Sequence, residues 1–357
     1  ITYRWTLDAP EYSQAIIKDN TAGVITIRPD AIGSYTLTLT VTDMEGDNDS
    51  KSITFIPKVP KPMSLPNFTP TSAPVAVIKD RIDAVRLLKQ ATFGPTIEST
   101  ERILEIGAEA WFDEQQNKPI TDWQELRTEM GIETGITDEN GGGRELIRET
   151  FNIAAYWRED QLRQRIAYGL SQLFVVSTDT DLGHRDIAFT TYWNRLSGNA
   201  FGNFRTLLKE VTLHPTMGHY LNMMGNMKSD PQRNIRPDEN FAREVMQLFT
   251  IGLMELNQDG TAKQTDNGEY VETYDQTIIQ NYAAALTGWY YTKPEIENNG
   301  RENYFAFDCS VHCHPHASSG TNMVAYQQIH QKTEKQLLRG YYIPPGQTAE
   351  EDLEIVL

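Results

Sequence analysis

Pro237-Asp-Glu-Asn-Phe-Ala-Arg-Glu-Val-Met-Gln-Leu-Phe-Thr-Ile-Gly-Leu253 is the most clearly delimited helical pattern in the sequence. Its apolar residues repeat at helical spacing on one side, while Asp238 and Gly252 supply a start and a stop signal. Glu244 lies at the edge of the apolar side, where an unpaired carboxylate costs free energy. The segment therefore predicts a helix that packs on a core and carries carboxylates that are either paired or functional.

The composition limits the class of protein. The chain has 357 residues and a formal net charge of −17, with an isoelectric point near 4.9. Nucleic acids and anionic membranes require clustered Lys and Arg, so neither is expected as a partner. No apolar run approaches the roughly 20 residues of a membrane-spanning helix, and no transmembrane segment is expected.

Residues 1–59 predict a β domain. Between Tyr35 and Thr42, apolar residues alternate with threonines, which is the period of a strand with one face in water. Tyr3-Arg-Trp5 and the run from Gly33 to Asp43 resemble a polycystic-kidney-disease (PKD) type, immunoglobulin-like sandwich. This resemblance implies an extracytoplasmic spacer or adhesion module.

The remainder of the chain predicts a linker and a helical domain. Prolines 57, 60, 62, 66, 70 and 74 favour an extended linker, which we assign to residues 60–80. From residue 81 to residue 357 helical patterns predominate, and the turn signals Asn257–Gly260 and Asp266–Gly268 predict a short β-hairpin. The predicted fold is multidomain, with a small all-β sandwich followed by a large, mainly α-helical domain.

Seven motifs of the helical domain resemble one family. They are Ala91-Thr-Phe-Gly-Pro-Thr96, Arg165–Ser171 with Phe174–Ser177, Asn199–Phe204, Thr212–Met217, Pro237–Glu244, Leu248–Gly252 and Thr287-Gly-Trp289. In this order they resemble the secreted bacterial family catalogued as domain of unknown function 1800, over residues 83–357. The resemblance implies a mainly helical protein with an extracellular, cell-surface or periplasmic location, and it implies no activity. The family pattern normally continues further, so we expect the chain to be incomplete at its C-terminus.

A cluster of sulfur and imidazole groups lies near the end of the chain. Its members are Cys309, His312, Cys313, His314 and His316. Thiolate and imidazole are preferred ligands of zinc and copper. Cys309, Cys313 and His314 also resemble a c-type haem attachment site, although three residues instead of two separate the cysteines. A local disulfide with solvated histidines is the third interpretation. All three stay open.

In the haem interpretation, His314 binds the iron, and Met323 and His330 are candidates for the sixth ligand.

His214, Asp238, Glu239 and Glu244 are the candidate catalytic residues. Carboxylates with a histidine suit general acid and base chemistry or a hard metal ion. Two carboxylates about 5 to 10 Å apart would suit an enzyme that acts on polysaccharide. The competing interpretation is structural, with a helix cap, an ion pair and a histidine bonded at a helix break.

Two acidic turns offer oxygen ligands for calcium. Asp43, Glu45 and Asp47 form the first, and Asn257 and Asp259 belong to the second, with Asp266 in the next turn along the chain. Neither reproduces the twelve-residue calcium loop, so solvated turns are the competing interpretation.

Two functions are compatible with these patterns. The first is an exported surface or extracellular-matrix protein with a binding or assembly role, whose partners are other extracellular proteins or polysaccharide. The alternative is an extracytoplasmic metal- or haem-binding redox protein or enzyme that uses the cluster at 309–316. Neither a substrate nor an oligomeric state follows from the sequence.

Elemental analysis and a visible absorption spectrum of the purified protein separate the interpretations of the cysteine cluster. A Soret band is expected for bound haem, and stoichiometric zinc or copper is expected for a metal site. Neither signal is expected for a disulfide loop, and that result would exclude the redox alternative as stated here.

Overall fold

The computed structural model describes residues 1–10, 15–17, 19–25, 27, 34–56, 78–134, 143–179, 186–290 and 321–357. Within these ranges, no helix combines the length and apolarity needed to cross a bilayer. Most of the predicted linker over 60–80 lies outside the described residues.

The N-terminal residues form an antiparallel sheet of three strands in sequential order, β1 (Thr2–Asp8), β2 (Tyr35–Thr42) and β3 (Asn48–Phe55). The threonines of β2 share one face, and the Thr38 hydroxyl lies 2.7 Å from the Ser52 hydroxyl opposite it. This confirms the predicted strand, but beyond the buried Tyr35 both of its faces are partly exposed. The described residues of the N-terminal region form this single sheet, and a second sheet of the predicted sandwich is not among them.

The rest of the described chain is mainly helical. The helices are α1 (Arg81–Ala91), α2 (Ile97–Asn117), α3 (Trp123–Thr134), α4 (Gly143–Trp157), α5 (Gln161–Leu173), α6 (Asp186–Gly198), α7 (Phe204–Leu213), α8 (Pro215–Tyr220), α9 (Asn240–Gln247), α10 (Gln276–Ala285) and α11 (Ala349–Val356). Two short antiparallel pairs accompany them, β4 (Trp289–Tyr290) with β5 (Val324–Ala325) and β6 (Lys335–Gln336) with β7 (Tyr342–Ile343).

Apolar burial organises the helical region into a main cluster and smaller ones. The main cluster runs from α5 to α11 and includes Tyr192, Leu196, Met217, Phe241, Val245 and Leu353. A second cluster joins α1, α2 and the start of α5 through Leu88, Ile103, Trp111 and Leu162. Because each cluster collects residues from several helices, their packing holds the helices together.

The helix predicted over 237–253 is shorter in the structure. α9 covers residues 240–247, and the Asp238 carboxylate accepts a hydrogen bond from the Asn240 N–H at 2.8 Å. After α9 the chain makes wider turns, in which the Phe249 N–H donates to the Glu244 carbonyl at 2.9 Å. Gly252 has a φ of +75°, which ends the segment. The buried residues of the predicted apolar side are Phe241, Ala242, Val245, Met246 and Phe249. Leu248, also predicted on that side, is 52% exposed because the chain has left the helix there.

A narrow antiparallel ribbon follows α9. Its bridges pair Met254 with Glu272, Leu256 with Ala262 and Gln264 with Tyr270. Gly260 and Gly268 occupy the two turns with φ values of +84° and +83°. The turn signals in the sequence thus mark real turns, and the ribbon contains two of them where we predicted one hairpin.

A buried group of three charged or titratable side chains fixes α11 to the main cluster. The side chains of His330, Lys335 and Asp352 are all 0% exposed. The Asp352 Oδ2 lies 2.8 Å from the Lys335 Nζ and 3.2 Å from the His330 Nε2. The His330 Nδ1 lies 2.9 Å from the Thr287 carbonyl. These contacts connect α11 to the segment beside α10.

We expect Asp352→Asn to destabilise the protein by about 3 to 5 kcal/mol, because Lys335 would keep a buried charge without a counterion. Glu354→Gln on the same helix is the matched control. Glu354 is half exposed and pairs with Arg205 and Lys209, so we expect its loss to cost at most about 1 kcal/mol. Urea unfolding followed by circular dichroism measures the free energy of unfolding of both variants. Equal losses of stability would show that the buried group contributes no more than the surface ion pairs of Glu354.

Candidate functional site

An open cleft of about 710 Å³ lies between the α1–α2 loop, α2 and the end of α4. The buried part of its lining consists of Leu88, Thr92, Trp111, Gln115 and Ala155. Its exposed part is polar, charged and aromatic. Clefts of roughly 300 to 1,000 Å³ are the usual size of ligand sites in proteins. The cleft is therefore the candidate functional site.

The loop between α1 and α2 is held at both ends. The Thr92 hydroxyl donates to the Leu88 carbonyl at 2.6 Å, where α1 ends. At the start of α2, the Ser99 N–H donates to the Thr96 hydroxyl at 3.0 Å, and the Thr96 N–H donates to the Ser99 hydroxyl at 2.9 Å. This reciprocal cap satisfies backbone donors that would otherwise lack partners. One wall of the cleft is consequently fixed.

Phe93 anchors the middle of the same loop. Its ring makes edge contacts with Phe151 and Tyr168, at centroid distances of 5.7 and 5.9 Å. The Arg165 guanidinium lies 5.6 Å from the Phe93 ring centre, which adds a cation–π contact. The loop therefore rests on an aromatic group contributed by α4 and α5.

Two aromatic side chains stand exposed at the rim of the cleft. Tyr156 is 63% exposed and Trp157 is 78% exposed, and they are the last two residues of α4. Covering a water-exposed aromatic side chain with another apolar surface lowers the free energy of the system. An adjacent exposed pair on a cleft is a surface suited to contact with a ligand.

A chain of ion pairs crosses the cleft. The Lys118 Nζ lies 3.0 Å from the Glu159 Oε2 and 3.8 Å from the Glu114 Oε1. The Arg102 guanidinium lies 3.0 Å from the Glu114 Oε2 and 2.9 Å from the Glu105 Oε2. The hydrogen bond from Lys118 to Glu159 is the main cause of a raised Lys118 pKa. The hydrogen bond from Arg102 to Glu114 is likewise the main cause of a raised Arg102 pKa. Both cations therefore stay charged at neutral pH.

The comparison with known families identifies the helical region. A family model described as "Protein of unknown function (DUF1800)" matches residues 86–357. The chain belongs to this family. No curated protein and no solved structure matches the chain. The cleft lies within the DUF1800 region, and its fixed loop is the first of the seven motifs that carried the resemblance, Ala91–Thr96.

The three carboxylates predicted to be catalytic lie elsewhere in the DUF1800 region. Asp238 is exposed and accepts a hydrogen bond from the Asn240 N–H just before α9, where Glu239 occupies the cap position. Glu239 accepts hydrogen bonds from Arg243 at 3.1 Å and from Gln276 at 2.7 Å. Burial raises the pKa of Glu244, and the charge of Arg243 offsets part of this rise. The Oε2 of Glu244 has no hydrogen-bond partner among the described residues. Asp238 and Glu239 thus have partners that suit a structural role.

His214, the fourth predicted catalytic residue, is fully buried at the start of α8. Its Nδ1 accepts a hydrogen bond from the Thr216 N–H at 3.2 Å, and its ring packs edge-on against Tyr192. Burial, with a smaller effect of Arg195, lowers the His214 pKa to about 3. No hydrogen bond or ion pair of the described residues joins His214 to Asp238, Glu239 or Glu244.

The cysteine and histidine cluster at 309–316 lies outside the described residues, so the metal, haem and disulfide interpretations stay predictions. The two candidates for a sixth haem ligand are engaged in the core. Met323 is buried against Gly218, and His330 contacts Thr287 and Asp352 through its two ring nitrogens. Neither side chain is free to bind iron without disrupting these contacts.

The first acidic turn brings three carboxylates close enough together to share a cation. One oxygen each from Asp43, Glu45 and Asp47 lies within 4.8 Å of the others, and all three residues are exposed. The Asp43 carboxylate also accepts the backbone N–H groups of Glu45 and Asp47, which is the arrangement of a solvated turn. In the second turn, the Asp259 carboxylate accepts hydrogen bonds from the Thr261 N–H and hydroxyl. Calcium at either turn stays a prediction.

We expect the stability difference between the wild type and His214→Asn to depend on pH. The unfolded histidine binds a proton below about pH 6.5, while the buried ring stays neutral until about pH 3. The histidine's contribution to stability is therefore present above pH 6.5 and falls by about 1.4 kcal/mol per pH unit below it. Denaturant unfolding at pH 7, 6, 5 and 4 measures this slope, and a constant difference would contradict the buried neutral state.

Proposed function

We propose that the chain is an exported surface or matrix protein whose DUF1800 region binds an extracellular polysaccharide in the cleft. The observation that carries this proposal is the exposed pair Tyr156 and Trp157 beside the ion pairs of Lys118. A sugar ring has an apolar face that packs on an aromatic ring, and hydroxyl groups on its edge that donate and accept hydrogen bonds. The cleft offers a partner for each.

The charged groups of the cleft match the edge of a sugar. A hydroxyl can donate to a carboxylate and accept from an ammonium or guanidinium group at the same time. Glu159 and Lys118 are partly exposed and 3.0 Å apart, so both can contact one sugar unit. Hydrogen bonds to charged groups are stronger than neutral ones. Such bonds orient a chain that the aromatic pair holds.

The proposal also fits the charge and the remaining candidate residues. A chain with a net charge of −17 does not suit a polyanionic nucleic acid. His214 is buried and neutral at pH 7, and Glu239 is paired with Arg243. Recognition at the cleft needs neither of them. Catalysis by Asp238, Glu239 and Glu244 stays a separate prediction.

We expect the purified protein to bind at least one polymer of a defined panel in depletion and affinity-gel assays. The panel consists of xylan, chitin, hydroxyethylcellulose, carboxymethylcellulose, and polygalacturonan in its methyl-esterified and free-acid forms. Trp157→Ala should weaken that binding about tenfold or more, since truncating an aromatic anchor commonly costs over 1.4 kcal/mol.

Tyr270→Ala is the matched control for Tyr156→Ala. Tyr270 is 59% exposed on the ribbon after α9 and does not line the cleft. Its variant should bind like the wild type, while the variants of Tyr156 and Trp157 should not. A protein that binds no polymer, or cleft variants that behave like Tyr270→Ala, would overturn the proposed function.

A further inference from the structure

We infer that the cleft selects uncharged polysaccharides and that Glu159 and Glu98 determine this selectivity. The inference rests on the proposed function and adds the chemical class of the ligand. It comes from the way the charges of the cleft are paired. A site for an anionic glycan presents free cations, and a site for a cationic polymer presents free carboxylates. The pairing in this cleft provides few of either.

Every cation that lines the cleft already has a carboxylate partner. Arg102 pairs with Glu114 and Glu105, and Lys118 pairs with Glu114 and Glu159. The third cation is Arg158, which pairs with Glu129 at 3.0 Å. An incoming carboxylate or sulfate would have to displace one of these partners. The displaced glutamate would then stand beside the ligand and repel it.

Glu98 adds a further negative charge to the cleft. It lies in the first turn of α2 and is exposed, and among the described residues no cation forms an ion pair with it. Glu159 is also well exposed, with 78% of its side chain in solvent. These two carboxylates therefore face an approaching ligand first. At physiological salt, charges closer than about 8 Å are only partly screened, so a nearby uronate is repelled.

Uncharged sugars meet none of these obstacles. Their hydroxyls can donate to the free lone pairs of Glu98 and Glu159 without breaking the ion pairs. Packing on Trp157 does not depend on the charge of the ligand. A cationic polymer is attracted by Glu98 and Glu159, but Arg102, Lys118 and Arg158 line the same cleft and repel it. The paired charges thus favour a neutral glycan over both kinds of polyelectrolyte.

The test compares neutral and acidic forms of the same backbone. Hydroxyethylcellulose is set against carboxymethylcellulose, and methyl-esterified against free-acid polygalacturonan, with poly-L-lysine as the polycation. For the wild type at low salt we expect the acidic form to bind about tenfold more weakly than its neutral counterpart. In 1 M NaCl this ratio should approach one, because screening removes the repulsion.

The decisive variants are Glu159→Gln and the double variant with Glu98→Gln. Each removed charge should raise the ratio of acidic to neutral binding about threefold, as expected for unit charges roughly 6 to 7 Å apart in water, so that the double variant loses the tenfold difference. Glu255→Gln is the control, since Glu255 pairs with Lys263 at 2.8 Å on the ribbon, away from the cleft. It removes the same charge and should leave the ratio unchanged.

The outcomes separate this inference from the proposed function. Binding of polysaccharide with equal or greater affinity for the acidic forms would overturn the selectivity and leave the function standing. A ratio that responds equally to Glu255→Gln and Glu159→Gln would also overturn it, because the effect would then come from net charge. Binding of poly-L-lysine without any glycan, or of no polymer, would overturn both.

Discussion

A carboxylate removed from water must be surrounded by hydrogen-bond donors, and Asp160 shows how this requirement organises the helical region. Asp160 is 1% exposed and accepts hydrogen bonds from the N–H and hydroxyl of Thr121 at 3.0 and 2.6 Å. It also accepts one from Gln164 at 2.9 Å, and Gln164 in turn accepts from the Trp123 indole at 3.0 Å. One residue thereby joins the starts of α3 and α5. It also fixes the chain just after Trp157, so the rim of the cleft depends on it.

Features that depend on neighbours in the sequence could be predicted. The strand β2, the turns at Gly260 and Gly268, and the buried side of α9 all follow from local spacing. The extent of α9 could not be predicted, because an apolar pattern continues through residues that leave the helix in wider turns. Beyond Gln247, Phe249 is buried while Leu248, Ile251 and Leu253 are exposed, and periodicity alone does not distinguish this segment from a continued helix.

The cleft could not be predicted because long-range contacts create it. Lys118 and Glu159 form an ion pair although 41 positions separate them in the chain. Trp157 follows the buried Leu146 by about three helical turns, so its position in the pattern predicts burial. α4 ends at Trp157, and no element among the described residues covers the ring. Its exposure is a property of the assembled fold. The only local signal was the loop motif Ala91–Thr96, whose threonine caps are readable from the sequence.

The buried group of His330, Lys335 and Asp352 has a consequence for biosynthesis. His330 and Lys335 leave the ribosome before Asp352, so Lys335 lacks its counterion and His330 lacks its carboxylate contact while the earlier helices are already able to pack. Until α11 docks, this part of the core holds polar groups that stay hydrated. Docking of α11 is therefore the first point in synthesis at which this part of the core can lose its water.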